Sequence, residues 1–300
     1  MGAYQPTTGG RNKLPAAIRG GLWMSVAMLC FACMDGMLRH ITSELHPFQT
    51  VFLRSAFGLL FISPWLLRAG FGALSTQRPL LHLGRGMSSL VGFTLWVVAL
   101  SLVPLAEATA LSFAMPLFAT VGGALILGES VGRVRWLAVA VGFVGVLVII
   151  RPGIAIVQPG ALLALGAACG FAASALLTRQ LSATEAPFTV VFYVSLFMTV
   201  VTFIMSIPVW VEPSSDMLGI AGATGVLGTI AQLCLVRAYG AADVSVIVPF
   251  DFVRLVFITI IGFLVFAQVP DVWTWLGAIL IVGSNTVATR WESRAERARA

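Results

Sequence analysis

The sequence predicts an all-α membrane protein with ten transmembrane helices, arranged as two five-helix inverted-topology repeats around a central cavity. Three observations predict it. Apolar residues are 59% of the 300 and charged residues only 10%, against about 25% charged in an ordinary soluble domain. Mean hydropathy is +0.98. The apolar residues fall into ten segments, each near the roughly 20 residues that span a bilayer. The second half of the chain also repeats the plan of the first. A soluble domain of this length needs far less apolar surface, so the net charge of +6 is no sign of nucleic-acid binding.

The repeat is clearest between Ala99–Glu129 and Ala238–Gln268. Each stretch opens with Ala at a helix end and crosses a short turn bearing an acid, Glu107 or Asp243. Each then enters a long apolar segment broken by proline, Pro116 or Pro249. Gly123 and Gly262 are 139 residues apart, as are Trp136 and Trp275. Upstream the offset is 140, for Arg39 and Arg179, Pro47 and Pro187, Phe48 and Phe188, and Phe52 and Phe192. One inserted or deleted residue explains the slip. Ordered matches at one spacing along most of each half are the mark of an internal duplication.

Residues 1–17 are polar and read as a cytoplasmic tail. The apolar segments follow at 18–38, 47–68, 80–100, 105–127, 134–151, 159–180, 187–210, 217–237, 243–266 and 271–289. The first repeat is 18–151, the second 159–289, and a basic tail occupies 290–300. Hydrocarbon offers no partner to a free N–H or C=O, so each span is expected to be helical. No cleavable signal peptide is expected, because Arg19 opens a segment too long for one. One side collects Lys13 and Arg11, Arg19, Arg68, Arg78, Arg85, Arg133, Arg135, Arg179, Arg237, Arg290, Arg294, Arg297 and Arg299. The other collects only Arg39 and Arg151. The positive-inside rule then places both termini in the cytoplasm. With five spans per half, the second copy must enter the membrane from the opposite side, a pattern found in transporters.

In such folds the substrate site lies between the repeats, near the midplane. Phe31 and Phe171 share the offset of 140 and sit at mid-depth in spans one and six, beside Met34, Asp35 and Ser174. Phe113, Met115 and Pro116 in one half, and Val248, Pro249 and Phe250 in the other, flank the prolines that interrupt their helices. Trp96 on span three lies within reach. A lining of Phe, Met and Trp suits a flat or apolar group. Gln232 on span eight is a neutral polar candidate.

Charges inside a membrane are costly and usually functional. Asp35 and Arg54 lie toward the same end of spans one and two and could pair. Asp251 and Arg254 are three apart on span nine, share a helical face and could pair locally. These groups read either as structural ion pairs, or as the groups that hold a zwitterion or gate by exchanging partners. Glu107 is placed at the outer mouth, and His82 as a packed or interfacial histidine. Small residues four apart, Gly166, Gly170 and Ser174 on span six and Ala221, Gly225 and Thr229 on span eight, predict close helix packing. Spans five and ten, glycine-rich and without deep charge, are expected to brace the halves from outside the cavity and could support a homodimer. Cys30, Cys33, Cys169 and Cys234 all lie in apolar segments and read as packing residues. No metal or cofactor is called for.

Several motifs together resemble the drug/metabolite transporter superfamily, EamA type. They are Arg54 in the second span, the AL-x-x-x-P-L-A-x-A turn at 99–108, Pro116, LGES at 127–130, Pro249-Phe250, and F-x-x-V-P at 266–270. Gln268 stands where the family usually has an acid. The resemblance covers essentially the whole chain. It implies ten helices in two inverted halves, export or exchange of small metabolites, and a bacterial inner-membrane location. Within the family the chain looks most like the YddG-type aromatic amino-acid exporters. A proton-coupled multidrug or organic-cation exporter is the alternative, and it would want an unpaired deep carboxylate. No HExxH, GxSxG or GxxxxGK[ST] pattern occurs in the sequence, which argues against an intramembrane enzyme or an ATP-driven pump. The loops are too short to offer a macromolecular partner a docking surface.

Overall fold

A computed structural model describes residues 16–70, 74–126, 131–152, 157–182, 184–241, 250 and 253–299. Among the described residues it is helical throughout: α1 (Ala16–Ile41), α2 (Pro47–Ala69), α3 (Pro79–Leu102), α4 (Leu105–Ser112), α5 (Met115–Ile126), α6 (Arg133–Ile150), α7 (Pro159–Ser182), α8 (Pro187–Ser206), α9 (Ser215–Ala241), α10 (Val253–Phe266) and α11 (Val272–Arg299). Eight helical stretches are long and apolar enough to cross a membrane, with α4 and α5 together forming one of them. Helices α2 and α10 fall at two further apolar segments, and described α10 is 14 residues long. The LGES motif, Asp243, Val248, Pro249 and Asp251 lie outside the described residues.

Prolines set several starts. Pro47, Pro79, Pro159 and Pro187 each open a helix, where the missing N–H costs nothing and φ is already helical. Asp271 caps α11, its Oδ1 accepting from the Thr274 amide at 2.8 Å and the Thr274 hydroxyl at 2.7 Å. Helix α11 continues through the basic stretch that follows the tenth apolar segment, to Arg299. Its Ala, Glu and Arg residues favour helix, and terminal arginines suit the negative end of the helix dipole.

The helices pair across the two halves. Helix α3 lies along α7, α1 along α9, α6 along α11, and α2 along both α8 and α9. Glycines permit the closest approaches. A Cβ on Gly170 of α7 would lie 2.7 Å from the Cα of Gly92 on α3, and one on Gly225 of α9 would lie 2.7 Å from the amide nitrogen of Gly58 on α2. A Cβ on Gly277 of α11 would lie 2.5 Å from the Gly145 oxygen on α6. Ser174 adds a 2.7 Å hydrogen bond with Ser89 to the α3–α7 seam.

Directions follow from the end contacts. Gly160, at the start of α7, packs on Leu102 and Val103 at the end of α3, so these two helices are antiparallel. Arg39, near the end of α1, donates to the Leu100 and Val103 carbonyls at 2.6 and 2.5 Å, so α1 and α3 end together. At that same end Gln268 accepts from the Leu105 amide at 3.0 Å, and Arg151 pairs with Asp271 at 2.7 Å. At the opposite end the loop before α8 is tied to the start of α3. The Glu185 carboxylate takes the Thr76 hydroxyl and, at 2.5 Å, His82 Nε2. Burial alone would raise the Glu185 pKa, but the bonds from Thr76 and His82, with Arg78 nearby, hold it below the usual range.

Two predictions follow from these seams and caps. Gly277→Ala puts a methyl group against backbone and should cost about 1–3 kcal/mol by overpacking. Gly283→Ala on the same helix meets nothing within 4 Å and should be neutral or stabilising; thermal unfolding in detergent separates the two. Asp271→Ala removes a helix cap and should cost about 1 kcal/mol. Burial raises the Asp271 pKa, but the Thr274 bonds and Arg151 outweigh it and lower the value overall. Its contribution is therefore present above the unfolded carboxylate range and lost as pH falls through the lowered folded value. The difference between wild type and Asp271→Ala should accordingly close at strongly acid pH.

Candidate functional site

Where α1, α2, α3, α7 and α10 converge, the structure gathers a set of charged and aromatic side chains. Asp35 comes from α1, Arg54 from α2, Phe93 and Trp96 from α3, Phe171 from α7 and Arg254 from α10. Asp35 is fully buried. Its Oδ2 accepts from Arg254 Nη2 at 2.6 Å and its Oδ1 from the Trp96 indole N–H at 3.0 Å. The Arg254 guanidinium lies 5.6 Å from the Phe31 ring centroid and 5.4 Å from that of Trp96. Phe171 meets Trp96 edge-on at 6.4 Å and Phe93 at 6.5 Å. Arg54 sits 4.1 Å from the Phe93 centroid, with Nε 3.5 Å from the Met34 sulfur.

This pairing differs from the one expected. Arg254 reaches an acid 219 residues away, on α1; Asp251, its expected partner, lies outside the described residues. Helical spacing reports which residues share a face but not what that face packs against, and α10 packs on α1. Asp35 therefore goes to Arg254, not to Arg54. Being buried with both oxygens engaged, it orients Arg254 and Trp96 and presents no free oxygen to a ligand.

The other candidates separate. Phe31, Met34, Trp96 and Phe171 belong to the cluster, while Ser174 spends its hydroxyl on Ser89. Phe250 packs on Gly21, about 20 Å along α1 from Asp35 at 1.5 Å per residue, and lies outside the cluster. Gln232, on α9, is exposed. Phe113, Met115 and Pro116 mark a break between α4 and α5. There the Leu117 amide bonds Ala114 at 2.9 Å, leaving the Phe113 carbonyl to Asn285 Nδ2 of α11 at 3.4 Å. His82 is buried and tied to Glu185, and Glu107 is partly exposed within electrostatic range of Arg151 and Asp271.

Four residues of this architecture were not anticipated: Phe93, Gly228, Asn285 and Glu185. Phe93 stands three before Trp96, on the same helical face, and that spacing could have found it. Gly228 leaves space for Arg54, since a Cβ there would lie 2.9 Å from Arg54 Nη2 and 3.2 Å from the Met34 sulfur. The partners of Asn285 and Glu185 are distant in sequence, and no local pattern marks them.

Known proteins resemble this chain over nearly its full length. It is 36% identical to a "Riboflavin transporter" of Vibrio cholerae, over 93% of this chain and 96% of that one. It is 28% identical to an "S-adenosylmethionine uptake transporter" of Rickettsia prowazekii, over 90% and 92%. It is 30% identical to a "Pseudopaline exporter" of Pseudomonas aeruginosa, over 88% and 94%. A solved crystal structure superposes with a TM-score of 0.65 at 21% identity, over 92% of this chain and 98% of its own, a likeness of fold. The family model described as "EamA-like transporter family" matches twice, at residues 18–151 and 158–290. The chain is thus a multi-pass membrane protein that belongs to the EamA-like transporter family.

Proposed function

We propose that this protein is a secondary transporter moving a flat, ring-bearing metabolite of the flavin kind across the bacterial inner membrane by alternating access. The observation that carries the reading is the central cluster, where Phe31, Phe93, Trp96 and Phe171 surround two deep guanidiniums. Aromatic faces take a planar ring, and guanidinium edges take its oxygen and nitrogen acceptors. The relatives named for riboflavin, at 36% and 33% identity, support the same substrate class.

The architecture that goes with this reading is ten crossings in two inverted halves, both termini cytoplasmic. The helix pairing supports it. By the repeat offset α7 corresponds to α1 and α9 to α3, so the α3–α7 and α1–α9 seams are one contact made twice. Since α7 runs against α3, and α3 runs with α1, the copy runs opposite to its original. A site at the junction of both halves can face either side as one half rocks against the other.

An amino-acid substrate is the second reading, favoured by Arg54, which would take its carboxylate. Among the described residues of the cluster no free acid faces the ammonium group, because Asp35 is bound to Arg254 and Trp96. The same engagement weighs against an organic-cation exporter.

Proteoliposomes of purified protein test these readings, with labelled riboflavin, phenylalanine, threonine, methionine and a quaternary amine, with and without a pH gradient. Saturable riboflavin uptake is expected. Uptake of amino acids alone, or of the amine alone under a proton gradient, would replace the flavin reading by the corresponding alternative. Asp35→Asn should abolish transport and destabilise the protein by about 3 kcal/mol, since it takes this counter-charge from the partly buried Arg254 guanidinium. Trp96→Phe keeps a ring but strands one Asp35 oxygen, for a cost of about 1–3 kcal/mol.

A further inference from the structure

The described part of the central site holds two guanidiniums and one carboxylate. The carboxylate is used up, since Asp35 Oδ1 takes Trp96 and Oδ2 takes Arg254. Arg54 has no ion pair among the described residues. Its Nε meets the Met34 sulfur at 3.5 Å, a weak acceptor, and its face lies over Phe93. Stacking occupies the face of a guanidinium and leaves its edge, where two oxygens of one group can dock in plane. Arg54 lies about two turns inside α2 yet is partly accessible, and Gly228 leaves room beside its Nη2. The site as described is a deep, reachable cation short of one anion.

We infer that Arg54 is an oxyanion subsite. The transported ligand carries a carboxylate or phosphate as well as a ring, with the oxyanion on Arg54 and the ring beside Phe93, Trp96 and Phe171. The inference deepens the transporter reading and rests on it for the ring, but it does not require that the ring be a flavin.

The test is ligand-induced thermal stabilisation of the full-length purified protein, using pairs that differ chiefly in an oxyanion: flavin mononucleotide against riboflavin, and naphthoate against naphthamide. Stabilisation reports affinity by mass action. Wild type should bind the oxyanion member of at least one pair about 10- to 100-fold more tightly, the range for a charge-assisted hydrogen bond. Arg54→Gln should erase that preference by weakening the oxyanion member about 10- to 100-fold and the neutral member less, with the melting temperature of the unliganded variant showing that it is folded. Arg54→Lys should restore part of it, keeping the charge but losing the fork. Equal binding within both wild-type pairs would overturn the inference, as would Arg54→Gln weakening both members alike. So would a tenfold gain in oxyanion affinity for Asp251→Asn, because Asp251 would then already be the counter-charge of Arg54. If only the naphthoate pair shows an Arg54-dependent preference and neither flavin binds, the oxyanion subsite stands and the flavin reading falls. Flavins that bind without such a preference give the reverse.

Discussion

The buried contact between Asp35 and Arg254 is the constraint around which the rest of the site is arranged. A carboxylate removed from water is tolerated only when its charge and both oxygens are met. Asp35 meets that condition with one arginine from the second half of the chain and one indole from the first. Three helices, α1, α3 and α10, are therefore fixed relative to one another by a single side chain. The aromatic rings that line the cluster follow from this, because Arg254 brings Phe31 and Trp96 against its own face.

That contact is possible because the surrounding helices come unusually close. Lipid supplies no hydrophobic drive between helices, so association depends on packing. The Gly92–Gly170, Gly58–Gly225 and Gly145–Gly277 approaches supply it at three separate seams. The Gly58–Gly225 crossing also sets where Arg54 sits, since a Cβ on Gly225 would lie 2.9 Å from the Arg54 carbonyl oxygen. Packing and site chemistry are thus one problem here: the residues that let α2 and α9 touch also bring a guanidinium against Gly228.

The fold was legible in the sequence because its determinants are local or repetitive. Apolar segment length gave the helices, and the offset of 139 to 140 residues related the two halves of the sequence. Small residues at Gly170 and Gly225 were read as packing positions, and both serve at seams. The site was legible only in part. Asp35, Arg54 and Arg254 stood out because charges are rare in these spans, and Trp96 as an aromatic within reach, but their partners did not. Asp35 was expected opposite Arg54, whereas it binds Arg254 on α10. Phe250, next to the expected proline break, packs at the far end of α1. Periodicity assigns a residue to a face, and only the helix that covers that face decides its partner.

The geometry also separates two ways in which deep charges could serve transport. One is partner exchange during gating; the other is a fixed site around which the halves move. Two unit charges about 4 Å apart interact by about 4 kcal/mol at an effective dielectric near 20, and a buried charge stripped of its partner costs about 3–5 kcal/mol. Exchange would pay that cost in every cycle unless a second acid received Arg254, and among the described residues its ion-pair partner is Asp35. Leaving the Asp35–Arg254 pair intact avoids the cost. The movable polar contacts lie instead toward the ends of the helices, at Glu185 with Thr76 and His82, and at Gln268 with Leu105. Each joins one half of the chain to the other. Under the proposed alternating access, a central charge pair that stays intact avoids the cost that partner exchange would carry.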